Sequence, residues 1–120
     1  MKVRDLQRAK IEDLVREYEQ AATEQGQGLA STDHRAANRA ADRITGAYRE
    51  LRRRAATAHL LPLLRSENEN VRLWVAADVL EFAPEQGEPV LLWLATRPGF
   101  VGITAEYTLK AWRKGTLKFP

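Results

Sequence analysis

The sequence contains no cysteine, so disulfides, thiolate catalysis and thiolate metal sites are all excluded. Only two histidines occur, His34 and His59, and neither stands at metal-ligand spacing from a pair of acids. A glycine-rich phosphate loop and a nucleophile elbow are missing as well. These absences predict a protein that is not an enzyme and that uses no cofactor or metal.

Long apolar runs are also missing from the sequence. No segment fits a signal peptide or a membrane span, so we expect a cytoplasmic protein without a membrane partner. The chain has 120 residues, of which 44% are hydrophobic and 29% are charged. Those values are typical of one soluble globular domain, and we predict a single domain over residues 1–120.

The net charge of +3 is distributed unevenly along the chain. Residues 66–96 carry six acids against one arginine, whereas residues 97–120 carry five lysines or arginines against one acid. Asymmetry of this kind concerns the choice of partners more than the fold.

Two long helices are predicted in the N-terminal half. The first covers about residues 5–25 and is expected to end at Gly26 and Gly28. The second covers about residues 33–54, after a cap within residues 31–33, and its alanine-rich inner face predicts a close helix–helix approach.

The segment 60–83 is typical of a HEAT-type repeat, in which two short antiparallel helices carry a proline in the first and Val-Arg at the start of the second. We predict a helix over 57–65 that is kinked at Pro62. Asn68 is expected to cap the next helix, which Pro84 ends. An apolar stripe at every fourth residue predicts the buried face of that helix: Val71, Val75 and Val79.

A fifth helix is predicted over about residues 85–96 and a sixth over about 100–114, with Gly115 as its C-cap. The sixth helix has a core stripe of Val101, Ala105, Leu109 and Trp112. The prediction is therefore an all-α protein of about six helices. Residues 1–56 form an N-terminal helical cap, residues 57–115 form two HEAT-like antiparallel hairpins of a short α-solenoid, and residues 116–120 form a tail.

Several segments together resemble a bacterial family of short HEAT-like domains of unknown function. They are residues 37–39, 48–52, 61–64, 71–74, 80–84 and 109–115. The resemblance implies an all-helical fold and brings no catalytic residues with it. HEAT-like domains of this size are similar to immunity proteins of bacterial toxin systems, each of which binds and blocks one cognate toxin.

A line of one aromatic and three acidic residues predicts a partner-binding face, which follows the fourth helix as far as Glu85, where Pro84 breaks it. Its members, spaced by four, three and four residues, are Trp74, Asp78, Glu81 and Glu85. Such a face suits a basic, partly apolar patch of another protein, such as a basic toxin domain. Alternatively, Trp74 packs inward and the acids form an ordinary solvated face. The leading hypothesis is a protein-binding module that acts as an immunity protein.

Two other functions remain open. An alternative face for nucleic acid is formed by five basic residues: Arg49, Arg52, Arg53, Lys110 and Arg113. Cations near helix C-termini are also explained by the helix dipole alone, and the acidic block 66–96 opposes a nucleic acid, so we do not expect nucleic acid as the partner. The third hypothesis is a homo-oligomeric scaffold in which the acidic face of one copy meets the basic face of another. We expect a monomer or a weak homodimer.

Overall fold

The structure is a computed structural model that describes residues 3–120 and the side chains from residue 5 onward, and the regular elements of these residues are all helices. The described residues form six α-helices and one 3₁₀ helix. They are α1 (Val3–Arg8), α2 (Ile11–Ala30), α3 (His34–Arg53), the 3₁₀ helix (Thr57–Arg65), α4 (Glu69–Val79), α5 (Pro84–Leu94) and α6 (Gly99–Arg113). The all-α prediction is confirmed, with seven helices where about six were expected.

The predicted first helix is in fact two helices, because the chain leaves the helical path at Ala9 and Lys10. The backbone carbonyls at the C-terminal end of α1 accept hydrogen bonds from a residue that is distant in the sequence. The guanidinium of Arg54 donates to the carbonyl oxygens of Ala9 (2.6 Å), Leu6 (2.8 Å) and Gln7 (3.0 Å). A cation that satisfies the last carbonyls of a helix stabilises its end at that place.

Helix α2 continues to Ala30 and does not stop at the two glycines, so the predicted end was wrong. The reason is the close packing of α3 on α2. A Cβ placed on Gly28 would lie 2.8 Å from the backbone nitrogen of Ala37. The glycine is therefore used for contact between helices rather than as a cap, and the predicted close approach of the alanine-rich helix is confirmed.

Helices α2 and α3 run antiparallel, joined by residues 31–33, and Asp33 caps α3 by accepting a hydrogen bond from the Ala36 amide (3.0 Å). Side chains that are fully buried fill the space between them, among them Leu14, Tyr18, Ile44, Tyr48 and Leu51. At the polar edge, Arg43 donates to both carboxylate oxygens of Glu17 (3.0 and 3.2 Å) and to Glu24 (3.0 Å). Core and ion pairs together fix the register of the two helices.

The segment containing Pro62 is a 3₁₀ helix of nine residues, where a kinked helix was predicted. Proline has no N–H and so cannot take part in an α-helical hydrogen bond. The tighter 3₁₀ winding places Leu60, Leu63 and Leu64 in buried positions.

Helix α4 begins as the sequence predicts. The Asn68 side chain accepts hydrogen bonds from the amides of Asn70 (2.9 Å) and Val71 (3.1 Å). Val71, Val75 and Val79 are fully buried, so the predicted stripe is confirmed. Helices α5 and α6 complete this core with Leu91, Leu94, Ala105 and Leu109.

The chain divides into two compact units at Leu60, inside the 3₁₀ helix. The first unit holds α1 to α3, and the second holds α4 to α6 with residues 61–119. This division falls near the predicted end of the N-terminal cap at residue 56, whereas the single domain over residues 1–120 stays a prediction. Residues 116–120 contain no helix, as expected for the tail, and Gly115 ends α6 with a positive φ of 73°. Among the described residues, no helix combines the length and apolarity needed to cross a membrane.

Candidate functional site

The four residues of the predicted acidic face do not lie on one helix. Trp74 and Asp78 lie on α4, Glu81 follows the end of α4 at Val79, and Glu85 lies in the first turn of α5. Glu81 and Glu85 are exposed, and Trp74 is half-buried. Asp78 is buried with 6% of its surface exposed, so its predicted place on an exposed face is wrong. The physical reason is that α4 packs against both α5 and α6, and a helix covered on more than one side buries residues outside its main apolar stripe. Partner binding by this line of residues stays a prediction.

The five basic residues of the alternative face belong to different units. Arg49, Arg52 and Arg53 lie on α3 in the first unit, and Lys110 and Arg113 lie on α6 in the second. At least three of them form ion pairs within the part of the chain that the structure describes. Arg53 binds Glu50 (2.5 Å), Lys110 binds Glu106 (3.1 Å), and Arg113 binds Glu88 (3.5 Å). These pairs reduce the positive charge that the face would offer to phosphates.

Glu50 is a buried carboxylate at the C-terminal end of α3, with 7% of its surface exposed. It accepts hydrogen bonds from Arg53 (2.5 and 3.1 Å) and from the Nε of Arg54 (2.7 Å). These bonds, that from Arg53 first, lower the pKa of Glu50 from 4.5 to about 2 despite its burial. Because Arg54 also holds the end of α1, Glu50 orients the cation that joins α1 to α3. This role is structural.

The exposed face of α6 carries large apolar side chains. Phe100, Ile103 and Tyr107 are 57%, 70% and 75% exposed, respectively. Their spacing of three and four residues places them on one side of the helix. We call these three residues the outer stripe. Large apolar side chains grouped in this way on a protein surface mark an interaction site more often than single exposed ones do.

The other side of α6 already packs into the core through Ala105 and Leu109, which are buried. At about 100° per residue, these positions point away from the outer stripe. The helix is therefore apolar on two opposite sides, only one of which the second unit covers. Sequence reasoning identified the core side and missed the outer stripe. The pattern that would have revealed it is a second series at three- and four-residue spacing in the same helix.

The outer stripe continues into positive charge at the C-terminal end of α6. Lys110 and Lys114 extend the same three- and four-residue spacing, and both are exposed. We call these two residues the cationic end. A shallow depression of about 130 Å³ lies there, lined by Tyr107, Lys110, Ala111, Lys114 and Thr116. Two of the residues that line it are lysines, so a carboxylate placed there would meet positive charge.

A third exposed aromatic in the second unit, Trp93 on α5, is held by cations. The guanidinium carbons of Arg72 and Arg97 lie 4.5 and 5.4 Å from its ring centroid. Arg97 also binds Glu69 (3.3 Å), and the buried Nε of Arg72 has no hydrogen-bond partner. These cation–π contacts fix the orientation of an indole that is 44% exposed. Ordered exposed aromatics of this kind favour binding, because little side-chain entropy is lost.

In the described part of the chain, no cluster of three or more histidine or acidic side chains is placed to hold a metal ion. His34 and His59 lie in separate exposed positions, at the start of α3 and in the 3₁₀ helix.

Comparison with known proteins adds information on the fold. No protein family and no curated protein matches this sequence. Among solved structures, the chain is similar to protein RPA1889 from Rhodopseudomonas palustris CGA009, with 24% sequence identity and a TM-score of 0.90. The match covers 96% of this chain and 98% of the other. At this level of identity the likeness shows a shared helical fold.

Proposed function

We propose that this chain is a non-enzymatic protein-binding module whose docking surface is the outer stripe of α6. The observation that carries the proposal is the exposure of Phe100, Ile103 and Tyr107 on a helix whose other side already contributes to a core. Full burial of one large apolar side chain is worth roughly 1.5–3 kcal/mol. Three such side chains therefore supply a substantial part of the free energy of a stable complex.

The more specific role that we propose is that of an immunity protein, which neutralises a bacterial toxin by occupying its surface. The resemblance to short HEAT-like domains motivates this role. A protein that blocks a toxin by covering its surface needs an exposed contact surface, such as the outer stripe, and no reactive groups. The acidic face predicted from the sequence remains the alternative docking surface, since Glu81 and Glu85 are exposed. The outer stripe, with its cationic end, suits an acidic partner, whereas the acidic face suits a basic one. Single substitutions on each surface can therefore distinguish the two.

The first test is affinity capture from the producing cell, followed by mass spectrometry before and after nuclease treatment. The wild-type chain is compared with Ile103→Asp and with Glu81→Lys, which changes an exposed acid outside the outer stripe. We expect one stoichiometric protein that resists nuclease, is lost with Ile103→Asp and is retained with Glu81→Lys. Equal capture by all three proteins, or recovery of nucleic acid alone, contradicts the proposed surface.

A second test addresses the immunity role itself. The captured protein is expressed alone in a host cell and then together with this chain. We expect growth arrest in the first case and recovery in the second, with no recovery when Ile103→Asp replaces the wild-type chain. A captured protein that is harmless on its own excludes the toxin as partner and leaves the docking surface to be judged by the capture result.

A further inference from the structure

The charge distribution along α6 restricts the kind of partner that fits the outer stripe. From Phe100 to Lys114 the exposed positions recur at intervals of three, four, three and four residues. This is the spacing by which one helix packs lengthwise against another. At about 1.5 Å per residue, the line spans about 21 Å, or about four helical turns. A helix is therefore the element that follows it best.

The same line on a second copy of the chain does not fit it. Parallel pairing of two α6 helices would set Lys110 and Lys114 against the same lysines. Antiparallel pairing would set them against the Phe100 end, where no carboxylate lies on the line. The carboxylate of Glu106 lies beside Lys110 and pairs with it (3.1 Å), but both side chains are more than half exposed, so the pair is weak and a carboxylate of a partner can replace it. Pairing of α6 with the α6 of a second copy thus leaves the cationic end without an opposite charge in either direction.

We propose that the occupant of the outer stripe is an amphipathic helix of another protein, which runs antiparallel to α6 and carries carboxylates in its first turn. The proposal rests on the protein-binding function above. The partner's apolar residues cover Phe100, Ile103 and Tyr107, and its carboxylates face Lys110 and Lys114, with one in the shallow depression. The direction follows from the helix dipole, since acids are stabilised at a helix N-terminus and destabilised at a C-terminus.

The test uses synthetic helical peptides with a fluorescent label, titrated with the full chain and followed by anisotropy. In each peptide, five positions at three- and four-residue spacing are designed to face α6. The first peptide has glutamates at the first two of these positions and leucines at the next three. The second replaces both glutamates by lysines, and the third reverses the order so that the glutamates come last. We expect the first peptide to bind at least tenfold more tightly than the second and severalfold more tightly than the third.

Raising the NaCl concentration from 50 to 300 mM should weaken the first peptide severalfold, because exposed charges are screened more strongly. Two double variants test the role of the cationic end: one reverses its charge, and the other is the matched control. The double variant Lys110→Glu, Lys114→Glu should prefer the lysine peptide. The variant Lys10→Glu, Lys118→Glu changes the net charge equally, outside the proposed surface, and should keep the wild-type preference. Circular dichroism checks that each variant is folded.

Several results would overturn the proposal. Equal affinity for the glutamate and lysine peptides, or no exchange of preference in the double variant, would show that the cationic end does not select the partner. A dimer in sedimentation that Ile103→Asp dissociates would assign the stripe to a second copy. If the peptides fail to bind while cellular capture still depends on Ile103, the surface stands and the occupant is wrong. If capture is also independent of Ile103, the proposed function itself fails.

Discussion

Replacing Glu50 by glutamine should destabilise the first unit in a pH-dependent manner. The substitution keeps the size of the side chain and removes the charge that Arg53 and Arg54 share. One pKa unit corresponds to about 1.36 kcal/mol, so lowering the pKa from 4.5 to about 2 sets a ceiling of roughly 3 kcal/mol. Because the Arg53 side chain is 61% exposed and its charge is screened, we expect about 1–2 kcal/mol at pH 7.

The sign of the pH dependence follows from the lowered pKa. A carboxylate that is more acidic in the folded state contributes its full stability above its unfolded pKa of about 4.5. It loses that contribution as the pH falls towards 2. The free energy difference between wild-type Glu50 and the glutamine variant should therefore be constant from pH 7 to about pH 5 and shrink steadily below that.

Urea unfolding at pH 7, 5, 4 and 3 measures this difference. Glu19→Gln is the matched control, because it removes an exposed carboxylate from the middle of α2. That variant should differ from wild type by a few tenths of a kcal/mol at most, as expected for surface positions. If Glu50→Gln has no effect at pH 7, or the same effect at pH 3 as at pH 7, the charge of Glu50 does not stabilise the fold and the reasoning is refuted.

Three further substitutions test the packing and the backbone of the first unit, each by chemical denaturation at pH 7. Ala55 has a φ of 55° directly after α3, and Ala55→Gly should stabilise by about 0.5–1 kcal/mol; destabilisation would argue against that backbone conformation. Arg43→Gln removes the cation that donates to both carboxylate oxygens of the well-buried Glu17 and should cost about 1.5–3 kcal/mol, while an unchanged midpoint would show that this pair adds no net stability. Gly28→Ala forces a Cβ to within 2.8 Å of the Ala37 nitrogen and should cost about 1–3 kcal/mol, and a neutral result would mean that α2 and α3 separate easily.

Features that depend on neighbouring residues were predictable from the sequence. The cap at Asn68, the cap at Asp33 and the end of α6 at Gly115 each follow from one residue and its immediate neighbours. The stripe Val71, Val75, Val79 follows from helical periodicity. The chemistry of neighbouring residues and the helical periodicity decide these features, so they could be derived from the sequence alone.

Features that depend on distant residues were not predictable in the same way. The end of α1 is set by Arg54, which is 45 residues away along the chain from Ala9. The continuation of α2 through Gly28 is set by the approach of Ala37, which no local pattern indicates. In both cases a tertiary contact overrides the local preference for a helix or for a helix end.

The same distinction between local and distant determinants applies to the candidate site. Asp78 was placed on an open face because periodicity shows where a side chain lies around a helix, and not how many neighbours cover that helix. The outer stripe of α6 is the opposite case. Ile103 and Tyr107 are apolar residues that would ordinarily be assigned to a core, and only the packing of α5 and α6 shows that they are exposed.

The measurement that tests the central claim most directly is the dissociation constant of the purified complex between this chain and its captured partner. It is determined by calorimetry for wild type, Ile103→Ala and Glu81→Lys. A central apolar contact typically contributes 2 kcal/mol or more, so Ile103→Ala should weaken the complex by roughly 30-fold. Glu81→Lys should change the affinity by no more than about twofold, as expected for a charge outside the interface. The reverse order, with strong weakening by Glu81→Lys and none by Ile103→Ala, would place the interface at the acidic face around Glu81 and contradict the account given for α6.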